Sequence, residues 1–474
     1  MVGRKEEQRE LLELFDRNQA DLVAIYGRRR VGKTFLVDST FDNHYLFRHA
    51  GRSWEDKENR LTKTQLGHFR KSLLLYGAED MGELKDWSEA FFHLEKLILA
   101  KDNGEKQVIF IDELPWLDTD GSHFISEFEG FWNSFACGRK NLTLVVCGSA
   151  TSWMQNNLIN SHGGLYGRPT REIRLRPFTL KECKEFFQAK NANFSDYDIM
   201  QAYMAVGGIP YYLDYFRPEK SMVQNINDLF FEPGSPLNTE YGRLFNSMFD
   251  YAEASKRIVE FLSTKKLGYT REEIIGATKL PNNGYASSLL KSLVAADFAI
   301  EYIPFAPKRK TTLYKLADPF CLFYAHFILG KKAGKDFWIN NYLSQNVASW
   351  RGIAFENACF NHIDQIKDAL GIRAVGTEAS TWYCEEDGEK SQIDLLIKRN
   401  DNIINVCELK FYSEDYAVTK GDYQKILSRT ERFCKYIPKK YGVQNTLITT
   451  YGLKKNMYSS AFLSVVTLDD LFKF

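Results

Sequence analysis

No two cysteines stand in a C-x-x-C pair. The eight (Cys137, Cys147, Cys183, Cys321, Cys359, Cys384, Cys407 and Cys434) are scattered, mostly inside apolar segments. That excludes the spacings of zinc ribbons and redox motifs and suits reduced, buried side chains. A long hydrophobic run is missing as well: no window approaches the roughly 20 apolar residues of a membrane-spanning helix. The start, Met1-Val2-Gly3-Arg4-Lys5-Glu6-Glu7, is charged and lacks the apolar stretch of a secretory signal, so a cytoplasmic protein without a membrane partner is expected. Nor is there a charge excess, with 62 Lys and Arg against 61 Asp and Glu. Bulk electrostatics therefore does not call for nucleic acid, and any such contact has to be a local patch.

What is present is core material. Apolar residues make up 44% of the 474, with 35 Phe and 25 Tyr. At roughly 150 residues per domain this length predicts several domains, and the α/β class is read from the runs that follow. Residues 22–26 (Leu-Val-Ala-Ile-Tyr), 107–111 (Gln-Val-Ile-Phe-Ile) and 142–147 (Leu-Thr-Leu-Val-Val-Cys) are short, nearly continuous apolar runs separated by helical stretches. Buried parallel strands have this appearance.

Directly after the first run comes Gly27-Arg28-Arg29-Arg30-Val31-Gly32-Lys33-Thr34. Phosphates need converging donors with no side chains in the way. Gly27 and Gly32 allow a tight loop whose backbone N–H groups point inward, Lys33 adds a cation for the β/γ-phosphates, and Thr34 offers a hydroxyl to Mg²⁺. The following helix turns its positive end toward the same anion. The second run ends in Asp112-Glu113, which predicts a carboxylate for the Mg²⁺ shell and one to orient and deprotonate the attacking water. The third ends in Gly148-Ser149-Ala150-Thr151, where Ser149 is either a neighbour of the γ-phosphate or a helix N-cap. ATP and Mg²⁺ are the expected cofactors.

Residues 255–316 show three helical stretches (Ser255–Thr264, Arg271–Thr278, Tyr285–Ala296) and then two strand-like runs around Lys308-Arg309-Lys310. That is the order of a winged helix, which serves either as a DNA-contacting module through phosphates or as a packing module. Further on, 393–398 and 403–411 read as strands around the turn Asn400-Asp401-Asn402, predicting an antiparallel hairpin. A turn centred on 401 sets Asp394 opposite Glu408 and Gln392 opposite Lys410, so Asp394, Glu408 and Lys410 share a face. Two opposed carboxylates repel, and a divalent metal between them would resolve the conflict. Lys410 would then stabilise charge developing on a phosphodiester.

On Val2-Gly3-Arg4, the two nucleotide motifs, Leu165-Tyr166-Gly167-Arg168 with Ile173–Phe178, and Gly207-Gly208-Ile209-Pro210-Tyr211-Tyr212-Leu213, the first half resembles prokaryotic AAA+/STAND-type P-loop ATPases. The branch it resembles bears a C-terminal domain long described as of unknown function. The resemblance implies that Gly3, Arg4 and the Pro210 turn lie near the adenine. It also makes Arg168 the candidate arginine finger, with Arg171 as runner-up, and a finger working in trans implies a homo-oligomer. The 393–411 hairpin resembles the core of the PD-(D/E)XK nucleases. That implies a restriction-endonuclease-like α/β fold, Glu356 as a further metal ligand beside Asp394 and Glu408, Mg²⁺ or Mn²⁺ at that site, and Gln424 and Lys425 on a following helix. Here Gln392-Ile393 precedes Asp394, and the family's Pro-Asp pair is absent.

The expected organisation is a P-loop core (1–177), a helical lid (178–250), a winged helix (251–318), and linking helices with the nuclease-like domain (319–474). The expected function is an ATP-hydrolysing switch coupled to a metal-dependent DNA nuclease-like effector. The competing expectation is a nucleotide-regulated DNA- or protein-binding scaffold with an inactive nuclease fold.

Overall fold

The computed structural model describes residues 2–473 apart from Asn43, Glu55, Ser161, His162, Asp250, 306–310 and Asp387. The basic tip Lys308-Arg309-Lys310 lies outside the described residues. The chain divides into two compact units, residues 1–176 with 242–253, and residues 177–241 with 254–474.

The first unit is built on a five-stranded sheet of β1 (Asp21–Tyr26), β2 (Phe47–Ala50), β3 (Gln107–Asp112), β4 (Leu142–Gly148) and β5 (Arg171–Arg174). The order is β2-β3-β4-β1-β5, and every pairing is parallel. β1 and β4 are buried along their whole length, which is why their sequences are apolar runs without alternation. β2 and β5 are the strands that the apolar runs did not reveal. Each has four residues and lies at an edge, so neither needs such a run. Helices Thr62–Leu75, Trp87–Ala100 and Phe124–Ser134 cover the sheet with an aromatic core. Trp87, fully buried, meets Phe124 at 4.9 Å and Phe69 at 5.4 Å, edge to face.

The second unit begins with helices Leu180–Ala189, Asp196–Val206, Pro210–Leu213 and Met222–Phe230. Capping boxes, Thr179 with Glu182 and Ser221 with Gln224, start two of them. Pro210 opens its short helix after Gly207-Gly208, and the break has a packing reason: a Cβ on Gly208 would lie 1.9 Å from the Phe178 carbonyl oxygen. Helices Ala252–Leu262, Arg271–Thr278 and Gly284–Ala295 follow, then the antiparallel pair β6 (Ala299–Tyr302) and β7 (Leu313–Leu316).

The C-terminal sheet contains β8 (Thr377–Glu386), β9 (Glu389–Arg399), β10 (Ile403–Lys410), β11 (Gly442–Thr449) and β12 (Ser464–Val466), in the order β12-β11-β10-β9-β8. β8, β9 and β10 form an antiparallel meander. The helix Lys420–Cys434 then crosses to β11, which is parallel to β10. The register is the one read from the turn: Ile404 pairs with Lys398 and Cys407 with Leu395. Asn402 takes the left-handed conformation (φ 64°), which Asn tolerates in tight turns.

Candidate functional site

In the first unit the sheet is parallel, so β1, β3 and β4 all end at one edge and deliver their polar residues there. β1 runs into the 27–34 loop and from it into the helix Lys33–Phe41. Gly27 is required for a close approach, since a Cβ there would stand 2.1 Å from the Leu175 carbonyl oxygen. Arg30 (φ 72°) and Gly32 (φ 92°) turn the backbone through the left-handed region, making a concave loop of amides. Lys33 is buried, and its ammonium donates to the carbonyls of Gly27 (3.0 Å) and Arg28 (3.1 Å) across the loop. Arg28 and Val31 are buried, whereas Arg29 and Arg30 are half-buried.

The Thr34 hydroxyl donates to Asp112 Oδ2 at 2.7 Å. Burial, with the Glu113 charge second, pushes the Asp112 carboxyl up to about 6, against the Thr34 hydrogen bond and the Lys33 charge. A hydroxyl and a carboxylate in contact beside a cationic loop fit a Mg²⁺–phosphate complex, whose metal Thr34 and Asp112 would hold. Glu113 sits at φ 48°, and its carboxylate accepts from the Ser149 backbone N–H (3.0 Å) and the Ser149 hydroxyl (2.7 Å). Ser149 is thus the residue that holds Glu113.

Gly3 and Arg4, both left-handed, precede the first helix, Lys5–Phe15. Arg4 is buried and donates to the carbonyls of Val31 (3.3 Å) and Arg176 (2.5 Å), so it braces the loop from behind. Arg168 stands on an exposed turn and donates to the Gly164 carbonyl at 3.2 Å. Arg171 is engaged by Glu10 at 3.5 Å. Pro210 belongs to the other unit.

In the second unit, the carboxylates of the expected face are split between two groups. Glu356, on the helix Gln345–Asn361, and Asp394, on β9, converge on the Lys266 ammonium at 3.2 Å and 2.9 Å. Gln392 also donates to Asp394. Burial and then the Asp394 charge push Glu356 up to about 7. Burial opposes ionisation of Asp394 too, but Lys266, Gln392 and Lys315 outweigh it and hold that carboxyl below its ordinary value. Glu408, one residue beyond the printed pairing of Cys407 with Leu395, is taken by Arg429 at 2.6 Å and Lys410 at 2.9 Å. Those two cations overcome burial and hold Glu408 below the usual range as well.

Each carboxylate of the expected face thus has a lysine or arginine within ion-pair distance. Among the described residues no cluster of three or more His, Cys, Asp or Glu is arranged to hold a metal ion. Gln424 and Lys425 are exposed, and Arg429, about one helical turn beyond Lys425, is the residue that reaches Glu408. Its helical spacing from Lys425 was a usable signal. For Lys266 there was none, because it lies in a distant segment.

Residues 1–216 match the family described as "ATPase domain predominantly from Archaea". An uncharacterized protein of Methanocaldococcus jannaschii is 26% identical over 337 residues, covering 69% of this chain and 68% of that protein. An uncharacterized ATP-binding protein of the same organism is 45% identical over 47 residues, 10% of this chain and 80% of its own length. Among solved structures, a Walker-type ATPase of Pyrococcus abyssi aligns with 69% of this chain and 96% of its own, at 21% identity and TM-score 0.47. A STAND protein of Pyrococcus horikoshii with a tetratricopeptide repeat sensor aligns with 79% of this chain and 50% of its own, at 17% identity and TM-score 0.32. Among the described residues no helix is long and apolar enough to cross a membrane.

Proposed function

We propose that this chain, a P-loop ATPase in its N-terminal domain, is an ATP-hydrolysing switch that governs a metal-dependent phosphodiester-cleaving site in its C-terminal α/β domain. For the nucleotide half, the supporting geometry is the Lys33–Thr34–Asp112–Glu113–Ser149 constellation at one sheet edge. Loop amides and Lys33 bind the phosphates, Thr34 and Asp112 hold Mg²⁺, and Glu113, once released by Ser149, takes the proton of the attacking water. Mg²⁺ supplies charge neutralisation between the phosphates. The reading sets Gly3-Arg4 and the Pro210 turn beside the adenine and gives Arg168 the γ-phosphate of a neighbouring copy.

The observation that carries the effector half is the convergence of Glu356 and Asp394, from a helix and a strand, on one cation. Two carboxylates gathered in this way, with Glu408 and Lys410 on the adjoining strand, suit Mg²⁺ or Mn²⁺ and a phosphodiester. The reading divides the chain into an ATPase core (1–177), lid (178–250), winged helix (251–318) and effector (319–474), with DNA reached through the last two. It is tested by incubating the protein with plasmid and single-stranded DNA, with Mg²⁺ or Mn²⁺, with and without ATP, beside Asp394→Ala. Cleavage lost in that variant is expected. No cleavage under any condition, or cleavage that survives the substitution, overturns it.

One observation favours a second reading, a nucleotide-regulated binding scaffold with an inactive effector. Every carboxylate of the face already has a lysine or arginine partner. Asp394-independent DNA binding without cleavage is the outcome that would select it.

A further inference from the structure

Lys63, Arg70 and Lys71 all stand on the helix Thr62–Leu75 of the first unit, but not all have a partner. Lys63 pairs with Glu83 at 3.1 Å and Arg70 with Asp80 at 3.2 Å. Among the described residues Lys71 has no ion pair, and neither has Arg52, two residues beyond the end of β2. Both line a pocket of about 430 Å³, together with His49, His68, Ser72 and Leu75. His68, Lys71, Ser72 and Leu75 follow the i, i+3, i+4, i+7 spacing, so one helix face forms a wall.

The other wall is held in place. The Gly51 N–H donates to the Asp112 carbonyl at 3.0 Å, and a Cβ on Gly51 would stand 2.6 Å from the Glu113 carbonyl oxygen. Gln65, fully buried, clamps the Arg52 main chain, accepting from its N–H at 3.1 Å and donating to its carbonyl at 2.9 Å.

His49 is 3% exposed, its Nδ1 lies 2.9 Å from the Ser72 hydroxyl, and its Nε2 has no hydrogen-bond partner among the described residues. Burial first, then the His68 and Arg52 charges, push its pKa down to about 3, so the ring is neutral with a single N–H. With the Ser72 hydroxyl donating to Nδ1, that N–H is on Nε2, a buried donor without an acceptor. His68 is also lowered, by burial and then by Arg52 and Lys71. Every charge acting on the two imidazoles is positive.

Unpaired cations of one sign around a buried, unsatisfied donor are costly, and an anion relieves both conditions. A phosphate monoester carries roughly two negative charges near neutral pH, matching Arg52 and Lys71, and the planar guanidinium suits two of its oxygens. The pocket is larger than a bare phosphate needs and falls in the roughly 300–1,000 Å³ range of small-molecule sites. Leu75, 83% exposed, offers an apolar surface to the organic part of such a ligand. In the sheet β2 lies three strand positions from β1, roughly 14 Å, which separates this pocket from the 27–34 loop.

We propose that this pocket binds a small phosphate monoester, with Arg52 and Lys71 holding the phosphate and His49 Nε2 donating to it. The site is independent of the effector reading above.

The test is equilibrium dialysis of nucleotide-free, full-length protein against radiolabelled phenyl phosphate. Wild type is expected to bind it. Arg52→Gln and Lys71→Gln are each expected to weaken binding at least about tenfold, the scale of a charge-assisted hydrogen bond, and His49→Phe by about threefold to tenfold, that of a neutral one. Lys63→Gln, which removes an exposed lysine of the same helix outside the pocket, and Lys33→Ala in the 27–34 loop are expected to keep that equivalent. Melting curves check folding, and the exposed pair Lys71→Gln and Lys63→Gln decides the matter should His49→Phe not fold.

No binding by wild type, or equal binding by wild type and the Arg52 and Lys71 variants, overturns the site. An equal loss in Lys63→Gln would reduce it to general surface charge, and a loss in Lys33→Ala would return the ligand to the loop; either overturns it as well. Displacement of phenyl phosphate by an oligothymidine without terminal phosphates would assign the pocket to nucleic acid and overturn the small-ligand reading.

Discussion

The Ser149 hydroxyl donates to Glu113 Oε2 at 2.7 Å, and the Ser149 backbone N–H donates to the same oxygen at 3.0 Å. The residue with the chemistry of a general base is thus held by the end of the neighbouring strand. For Glu113 to reach a water above the loop, these bonds must loosen. Ser149→Ala removes one of them, and hydrogen bonds to charged groups contribute about 1.5–3 kcal/mol. Basal kcat for ATP is expected to rise, by about tenfold at the lower end of that range, with little change in nucleotide Kd. Steady-state kinetics and equilibrium nucleotide titration check this, and a kcat that falls together with affinity would assign Ser149 to the nucleotide instead.

Substitutions at Lys33 and Glu113 are expected to separate nucleotide binding from turnover. Lys33→Ala should lose nucleotide affinity, because its ammonium is a buried cation that spans the loop to the Gly27 and Arg28 carbonyls. Glu113→Gln should bind ATP as wild type does while kcat drops by about 10²–10⁴-fold, the usual contribution of a positioned base. Fluorescent-nucleotide titration beside phosphate release reads both, and unchanged affinity in the Lys33 variant would put the site elsewhere.

Gly27→Ala introduces a Cβ where the Leu175 carbonyl oxygen stands 2.1 Å away, at a backbone φ of 150°. Backbone cannot yield there as the end of a flexible side chain would. The variant should lose ATP binding and melt at a lower temperature, whereas Gly130→Ala, in open space on a helix, should do neither. Differential scanning calorimetry with and without ATP makes the comparison.

His362 gives the second unit a defined acid response. Its Nε2 accepts from the Leu180 N–H at 3.1 Å, and its Nδ1 lies 2.7 Å from the Ala358 carbonyl, to which only an N–H can donate. The neutral ring is therefore the one that fits. Burial lowers its pKa to about 4, partly offset by the Ala358 bond. Below its unfolded value near 6.5 the unfolded chain binds the proton more readily. Stability from this group is thus complete above about pH 6.5 and lost progressively as pH falls toward 4. The loss is of order 3 kcal/mol at about 1.4 kcal/mol per unit. His362→Gln should melt lower at pH 8 but show a shallower decline between pH 6.5 and 4. Parallel slopes for the two proteins would remove His362 as the cause.

Much of the proposed nucleotide site is legible in the sequence because its chemistry is local. A loop with two fixed glycines, a lysine and a threonine must be contiguous, and Asp112-Glu113 and Ser149 had only to follow apolar runs that end at the same sheet edge. The 393–410 hairpin was legible for a similar reason: a short turn fixes the register, and the pairing of Ile404 with Lys398 follows it. β2 and β5 are not legible in the sequence, because short edge strands need no long apolar run.

Sequence by itself determined which side chains would share a strand face or a loop, since those relations follow from the fixed periods of strand and turn. Only the tertiary structure decided the charge partners. Asp394 and Glu408 were foreseeable as neighbours, and their repulsion was foreseeable as a conflict. Its relief by Lys266 for one and Arg429 for the other was not, because ion pairing depends on distances between separate elements, which packing of the whole unit sets. The same holds for Ser149 and Glu113, whose contact exists because parallel pairing brings β3 and β4 to a common edge.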